Sequence, residues 1–485
     1  MKGKKVLSAF IALVLIAGIP VAAFADTWYI ENGNITITAT PTENGDSQTV
    51  SQGTTSKIDN APTISQKDSS TPTDNTITIS ADAGATANVT LDDVNIDVSG
   101  DNGKAGISTK GEGNVTIELD GNNSVKSGYT HAGVEKGNEG NLTIKDDEKD
   151  GSLNAVGGSD GAGIGSGHYT DVSNITIKGG TINATGGGSA AGIGGGGNAS
   201  NITISGGNVN ATGGACGAGI GSGQNRNGNN ITISGGKVKA TGGQDAAGIG
   251  GGASGNGSGI TISGGEVTAI GGLGGAGIGG GGFGRTGSDI TISGDAQVKV
   301  KGGPYEYYNK VKEGAAIGNG GDRNSKGSEV EPDTSGLTVD GKIEYYEPND
   351  DIDTAQPSKT TIGTLPSARP TPKPEQPTEP EAEAAPAPSE SAPLYRVTDK
   401  DGKDIAYKYE KANSVLTVTV EADYAVLTGS LSGINTLSQQ GIEELVFVTN
   451  GATSTYKLAE LLDMGSLSDS YALTHDGKTA TLDIL

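Results

Sequence analysis

A short alternation of apolar and polar side chains recurs through the middle of the chain. The motif Ile-Thr-Ile and its diverged copies begin at eight positions: Val89, Val115, Leu142, Ile175, Ile202, Ile231, Ile260 and Ile290. In each copy the two aliphatic side chains point to one face of a strand and the threonine points to the other. Successive starts are 26 to 33 residues apart, so the pattern predicts a repeat protein with one such strand per repeat.

Two further markers complete each repeat. One is Ala-Gly followed by a branched residue, at Ile107, Val134, Ile164, Ile193, Ile220, Ile249 and Ile278. The other is a short strand such as Ile182-Asn-Ala184 or Val209-Asn-Ala211, and glycine pairs separate the markers. A single repeat carries too few aliphatic side chains to offset its own ordering. Stacked repeats share one core, and each strand then hydrogen-bonds to the coils on either side.

Three strands per repeat without helical periodicity predict an all-β fold. We expect a parallel β-helix of about eight glycine-rich coils over residues 88–347. It is expected to be right-handed, because parallel crossover connections are. An asparagine precedes the first strand in six coils, where stacked side chains can hydrogen-bond along the rod; these are Asn88, Asn114, Asn141, Asn174, Asn201 and Asn230.

The flanking segments differ in composition. Residues 26–87 hold two Ile-Thr-Ile motifs without the full repeat, and are predicted to form an N-terminal cap with irregular strands. Residues 348–393 contain 11 of the 17 prolines, which predicts a disordered, extended linker. Residues 394–485 are predicted to form a small α+β domain, with strands at 415–420 and 445–448, helices at 433–440 and 457–463, and a hairpin turn at Asp476-Gly477.

Residues 1–25 have the pattern of a signal peptide. Lys2, Lys4 and Lys5 precede an apolar run, and Ala23-Phe24-Ala25 supplies a cleavage site. We therefore expect a secreted or extracellular protein, with non-covalent association as one way to stay on the cell surface. No second apolar stretch follows, so membrane insertion after signal cleavage is not expected.

Charge and composition exclude several classes of function. The net charge is −24, and loss of the three lysines of the signal makes it −27. Such a chain repels phosphate backbones, so nucleic-acid binding is not expected. A single cysteine, Cys216, allows no intrachain disulfide, and three histidines are few for a zinc site.

One region resembles a known group of proteins. The run Asn114-Val-Thr-Ile-Glu-Leu-Asp-Gly-Asn-Asn-Ser-Val125, followed by Ala132-Gly-Val134 and Asn141-Leu-Thr-Ile144, resembles secreted parallel β-helix surface proteins of Gram-positive anaerobes. These are often labelled carbohydrate-binding and are similar in fold to pectate lyases. The resemblance covers roughly residues 77–345 and implies glycan binding, with calcium in some members.

A candidate calcium site follows from aligning the coils on the asparagine position. The alignment places Asp92, Glu118 and Lys145 in one outward column, and the full set of candidate metal ligands is Asp92, Asp93, Glu118, Asp120, Asp146 and Asp147. Carboxylates stacked about 4.8 Å apart repel one another unless a cation lies between them, and Ca²⁺ prefers oxygen ligands. The alternative is a solvated acidic face with Lys145 as its partner.

A candidate glycan site follows from an insertion. After Gly302-Gly303 the chain adds the ten residues 304–313 before the next Ala-Ile marker, and these include Tyr305, Tyr307 and Tyr308. Aromatic rings on a loop of a rigid scaffold are suited to stacking against sugars. The alternative is that the insertion covers the last coil as an end cap.

These observations favour a non-catalytic protein that binds extracellular or wall polysaccharide. The first alternative is a structural or adhesive surface scaffold, an adhesin, that recognises a protein partner. The second is a calcium-dependent polysaccharide lyase. Lys145 and Lys178 lie close to Glu118 in the alignment but no arginine joins them, so we assign no catalytic residues.

Overall fold

The computed structural model describes residues 26–43, 45–307, 310–322, 325–363 and, with short gaps, 395–484. The predicted signal peptide and residues 364–393 of the predicted linker lie outside the described residues. The chain divides into two compact units, Met1–Pro370 and Thr371–Leu485.

The first unit is a stack of coils whose strands form three sheets, numbered here in the order in which a coil visits them. Sheet 1 contains Thr27–Tyr29, Thr63–Ser65, Thr86–Asp92, Asn114–Asp120, Leu142–Lys145, Val172–Ile177, Ala199–Ile204, Gly228–Ile233, Gly257–Ile262 and Gly287–Ile292. Sheet 2 contains Asn95–Asp97, Asn122–Lys126, Ser152–Val156, Thr181–Thr185, Asn208–Thr212, Lys237–Thr241, Glu266–Ile270, Gln297–Lys301, Lys342–Tyr345 and Lys359–Ile362. Sheet 3 contains Ile35–Thr42, Ile77–Ala81, Ile107–Gly111, Val134–Lys136, Ile164–His168, Ile193–Gly196, Ile220–Gly221, Ile249–Gly250, Ile278–Gly279 and Ile317–Gly318, and is extended at its first edge by Gly45–Gln52 and Thr55–Ile58. A 3₁₀ turn at Ile30–Asn32 and a hairpin of Pro304–Tyr307 with Lys310–Glu313 complete the unit.

This architecture confirms the predicted parallel β-helix, but it has about 11 turns rather than about eight. The additional coils come from outside the recognisable repeat. Strands that begin at Thr27, Ile35, Thr63 and Ile77 already belong to the sheets, within residues assigned from sequence to a cap. At the other end Lys359–Ile362, assigned from sequence to the linker, pairs antiparallel with Lys342–Tyr345. Irregular connections between these strands hide their periodicity.

The core of the rod is built from inward columns of small aliphatic side chains. Ile204, Ile233 and Ile262, for example, are neighbours in register and fully buried. Glycine is required where the coils come closest, in sheet 3. At Gly221 φ is +137°, and a Cβ would lie 2.0 Å from the carbonyl oxygen of Gly250 in the next coil, so no side chain fits there.

Side chains at the asparagine position hydrogen-bond from coil to coil over part of the rod, as predicted, and we call this column the asparagine ladder. Asn174, Asn201 and Asn230 adopt left-handed backbone conformations with φ of 62°, 52° and 52°, which asparagine tolerates better than most residues. The Asn201 side-chain amide donates to Asn174 Oδ1 at 3.0 Å. Asn141 is joined to its neighbour by a different bond, from its backbone N–H to Asn114 Oδ1 at 2.8 Å.

In its described residues the second unit has two four-stranded sheets and two short helices, the content expected of a small α+β domain. One sheet contains Tyr395–Thr398, Tyr424–Ser430, Ser470–Asp476 and Thr479–Ile484, and the other contains Lys408–Ala412, Val415–Thr419, Glu444–Val448 and Thr453–Lys457. The helices are Leu431–Gln439 and Leu458–Leu462. Within the described parts of both units, no helix has the length and apolar character needed to cross a membrane.

Candidate functional site

A groove of about 400 Å³ lies on the outer face of sheet 1, and we call it the sheet 1 groove. Its charged and hydroxyl-bearing lining includes Thr63, Thr90, Thr116, Glu118, Asp120, Lys145, Asp147 and Glu148. The strand Asn114–Asp120 supplies the centre because its aliphatic residues, Val115, Ile117 and Leu119, are buried in the core. Alternation then turns the intervening polar side chains outward into the groove.

Lys145 is the cationic side chain among the residues that line this groove. Its Nζ lies 2.8 Å from Glu118 Oε2 and also forms an ion pair with Asp147. The other Glu118 oxygen, Oε1, accepts a hydrogen bond from the Asp147 backbone N–H at 2.7 Å. Hydrogen bonds to Asp147 and Glu118 raise the pKa of Lys145. The amine is therefore held as a protonated donor at neutral pH.

The register of the first groove strands differs from the sequence alignment. Asp92 lies opposite Asp120, and Glu118 lies opposite Thr90, whereas the alignment placed Asp92 beside Glu118. The two registers differ by two residues, and such a shift leaves every side chain on its original face. The apolar pattern therefore could not distinguish them. From Glu118 onward the predicted column holds, because Glu118 lies opposite Lys145.

The six predicted metal ligands have different surroundings. Asp93 Oδ1 accepts a hydrogen bond from the backbone N–H of Asn122 at 2.8 Å. Asp146 binds the turn that follows it, accepting from the backbone N–H groups of Lys149 at 2.7 Å and Gly151 at 3.2 Å. These two carboxylates thus stabilise turns, while Glu118 and Asp147 hold Lys145.

Asp120, which also lines the groove, lies opposite Asp92, and the two carboxylates form an acidic corner. Burial, followed by the negative charges of Asp150 and Asp92, raises the pKa of Asp120. Across the described residues of the chain, no group of three or more His, Cys, Asp or Glu side chains is arranged to hold a metal ion. Calcium binding therefore stays a prediction.

The tyrosine insertion is a hairpin. The backbone of Tyr305 and Tyr307 belongs to its first strand, which pairs with Lys310–Glu313, and Tyr308 lies outside the described residues. Tyr345 and Tyr346 are buried. Burial raises the pKa of Tyr345 to about 12, and Lys359 Nζ lies 4.7 Å from the centre of its ring. These last two rings therefore offer no exposed stacking surface.

Sequence reasoning missed a second polar cluster, on the outer side of sheet 3. His131 Nδ1 lies 2.8 Å from Glu135 Oε2, and His168 Nδ1 lies 3.3 Å from Asp160 Oδ2. The backbone N–H of His168 donates to the carbonyl of Thr130 at 2.9 Å, which brings the two pairs side by side. The available signal was that two of the three histidines occur in successive repeats.

A comparison with known protein families concerns the repeated coils that carry these sites. A model described as a beta helix repeat matches residues 149–168, 175–197, 202–224, 231–253 and 260–282. The matched segments are successive coils of the rod. The chain is a parallel β-helix protein. No curated protein and no solved structure gives a significant match to this β-helix chain.

Proposed function

We propose that this chain is an extracellular β-helix protein that binds polysaccharide without cleaving it, and that the sheet 1 groove is a binding site. The observation that carries the proposal is the groove itself. It is open, follows the outer face of neighbouring coils, and presents threonine hydroxyls beside Glu118, Asp120 and Lys145. A polysaccharide chain is long and rich in hydroxyl groups, so hydrogen-bonding groups along a rigid sheet match its chemistry.

The protonation of Lys145 favours binding over catalysis. A polysaccharide lyase needs a base that removes a proton next to a carboxylate. The Lys145 amine is ion-paired with Glu118 and Asp147, and these two partners raise its pKa, which disfavours it as that base. The same ammonium group can donate hydrogen bonds to sugar oxygens or to a uronate.

The test is a pull-down of the mature protein on cellulose, chitin, xylan, peptidoglycan and polygalacturonate, each with calcium and with chelator. We expect retention on at least one of them, and a loss of retention of about tenfold in the double variant E118Q/K145M, equivalent to about 1.4 kcal/mol. Retention that disappears with chelator would support calcium in the acidic corner.

The matched control is K237M/E266Q, which removes an exposed ion pair of 3.4 Å on sheet 2. It should bind like the unmodified protein. No retention on any polysaccharide would overturn the proposal and favour the adhesive scaffold. Release of unsaturated sugars that absorb in the ultraviolet would instead show a lyase.

A further inference from the structure

Five residues lie in neighbouring coils along the outer side of sheet 3, Tyr129, Asp160, His168, Tyr169 and Arg226, and we call them the sheet 3 row. The Asp160 backbone N–H donates to the carbonyl of Tyr129 at 3.0 Å. The rings of His168 and Tyr169 are 4.0 Å apart between centroids. Arg226 Cζ lies 5.5 Å from the centre of the Tyr169 ring. The row crosses three coil steps, roughly 14 Å at the spacing of neighbouring strands.

Glycines occupy the coil that lies between Tyr169 and Arg226. In the coil between those of Tyr169 and Arg226, the end of the strand Ile193–Gly196 and the residue that follows it are the four glycines 194–197. A Cβ on Gly197 would lie 2.4 Å from the carbonyl carbon and oxygen of Thr170, so no side chain fits at this position. The absence of side chains here allows Arg226 to reach across to Tyr169.

The row presents both apolar and hydrogen-bonding surface. Tyr129 and Tyr169 are each 50% exposed. Asp160 faces Nδ1 of His168, and the imidazole side chain is 40% exposed, so the ring can also offer a hydrogen bond to a ligand. Exposed aromatic rings beside a few hydrogen-bonding groups are typical of sugar-binding surfaces.

The charge balance indicates which saccharides fit. Arg226 is the one permanently cationic side chain of the row, and it lies over the Tyr169 ring. Asp160 supplies a carboxylate, and Glu135 supplies another beside His131. A surface of mixed charge without a cationic cluster suits neutral sugars better than sulfated or phosphorylated ones.

We propose that the sheet 3 row is a second saccharide-binding site, for a short stretch of neutral polysaccharide, and that one rod therefore cross-links two glycan chains. This inference rests on the proposed function of the sheet 1 groove. Because sheets 1 and 3 are different faces of the rod, a single straight chain cannot occupy both sites. A rigid protein with two binding sites can hold two glycan chains at once and so cross-link them.

The experiment mixes the mature protein with soluble arabinoxylan or hydroxyethylcellulose, both neutral polysaccharides, and follows particle size by light scattering. Cross-linking predicts a rise in particle size at intermediate protein concentration and a fall at excess protein, when each chain is separately saturated. The variant Y129A/Y169A should lose at least nine-tenths of the rise while still binding in affinity electrophoresis.

The chain offers a closely matched control, L273A/F283A. Gly272, which precedes Leu273, and Gly128, which precedes Tyr129, belong to one column of stacked glycines, with four coils between them. Leu273 is therefore the counterpart of Tyr129. Phe283 holds the turn position of Tyr169, with left-handed φ of 65° against 48°. The exposed fractions of Leu273 and Phe283, 44% and 45%, are close to those of the two tyrosines. This control should retain the full rise in particle size.

The outcomes separate the two proposals. If no polysaccharide binds to any variant, the proposed function itself fails. If the protein binds but Y129A/Y169A cross-links like the unmodified protein, the sheet 3 row is not a site and the groove proposal survives. The groove variant E118Q/K145M should also lose cross-linking while keeping weaker binding through the row. Complete loss of binding in that variant would overturn the second site.

Discussion

At the scale of single residues, Lys136 is the least expected side chain in the rod. It occupies an inward position of the strand Val134–Lys136, opposite Thr109 of the preceding coil, and is only 6% exposed. Its Nζ donates to the carbonyl of Asn138 at 2.6 Å. Burial lowers the pKa of the amine to about 8. A cation is thus held at an inward position where the preceding coil places the uncharged side chain of Thr109, and burying that charge destabilises the folded rod.

Replacing Lys136 by methionine should therefore stabilise the rod at neutral pH. The folded pKa lies below the unfolded value, so below pH 8 the folded state carries the full cost of the buried charge, up to about 3 kcal/mol. As pH rises from about 8 to 10.5 the folded amine loses its proton first, and the unmodified protein gains stability. K136M should raise the urea midpoint at pH 7, and the difference should shrink by pH 10.

The exposed lysine of sheet 2 provides the control for this experiment. Lys237 is exposed, so K237M should change the urea midpoint little at either pH. A K136M protein that is less stable than the unmodified protein at pH 7 would contradict the argument. It would indicate that the hydrogen bond to Asn138 outweighs the cost of burying the ammonium group.

At the scale of elements, the asparagine ladder combines a backbone role with a hydrogen-bonding role. Asn201 has φ of 52°, its amide donates to Asn174 Oδ1, and its Oδ1 accepts from Asn230 at 3.4 Å. Gly259 occupies the equivalent position two coils further on, with φ of 63°. The position therefore selects residues that tolerate a left-handed conformation.

Two substitutions at Asn201 should separate these roles. N201G keeps the left-handed backbone but removes two side-chain hydrogen bonds, with an expected loss of about 1 kcal/mol. N201A removes the same bonds and also strains the backbone, which should cost about 1 kcal/mol more. Urea unfolding of the two variants measures both steps. Equal stability of N201G and N201A would show that the left-handed conformation is not a constraint.

The alternation of apolar and polar residues within each strand made most of the fold predictable. In the repeat, residues such as Ile202 and Ile204 are buried and Thr203 faces outward, as their spacing requires. The register of Asp92 was not predictable, because a shift of two residues preserves the faces. The sheet 3 row was not predictable either. Tyr129 and Asp160 meet through turns, where no alternation of apolar and polar residues indicates which side chains lie together.

At the scale of the whole molecule, the two units have different kinds of core. The rod stacks small aliphatic side chains in columns, whereas the second unit packs larger side chains such as Phe447 and Tyr471. The second unit also buries His475 completely. His475 Nδ1 lies 3.0 Å from Thr449 Oγ1, and Nε2 lies 2.8 Å from Ser454 Oγ. Two hydroxyl groups satisfy a neutral imidazole, one as acceptor and one as donor.

The second unit should consequently lose stability in mild acid. Burial lowers the pKa of His475 in the folded unit, so the unfolded state takes up a proton first as pH falls below about 6.5. Between pH 7 and pH 5 the free energy of unfolding of this unit should fall.

Two measurements distinguish the units. Trp28 is the single tryptophan and belongs to the rod, so its fluorescence reports on the rod. Hydrogen exchange of peptides from residues 415–476 reports on the second unit. We expect faster exchange of those peptides at pH 5, after correction for the intrinsic rate, and loss of that acceleration in H475Q. The control variant H131Q is altered in the rod and should show the same acceleration of exchange at pH 5 as the unmodified protein. If the acceleration persists in H475Q, groups other than His475 cause the loss of stability in acid.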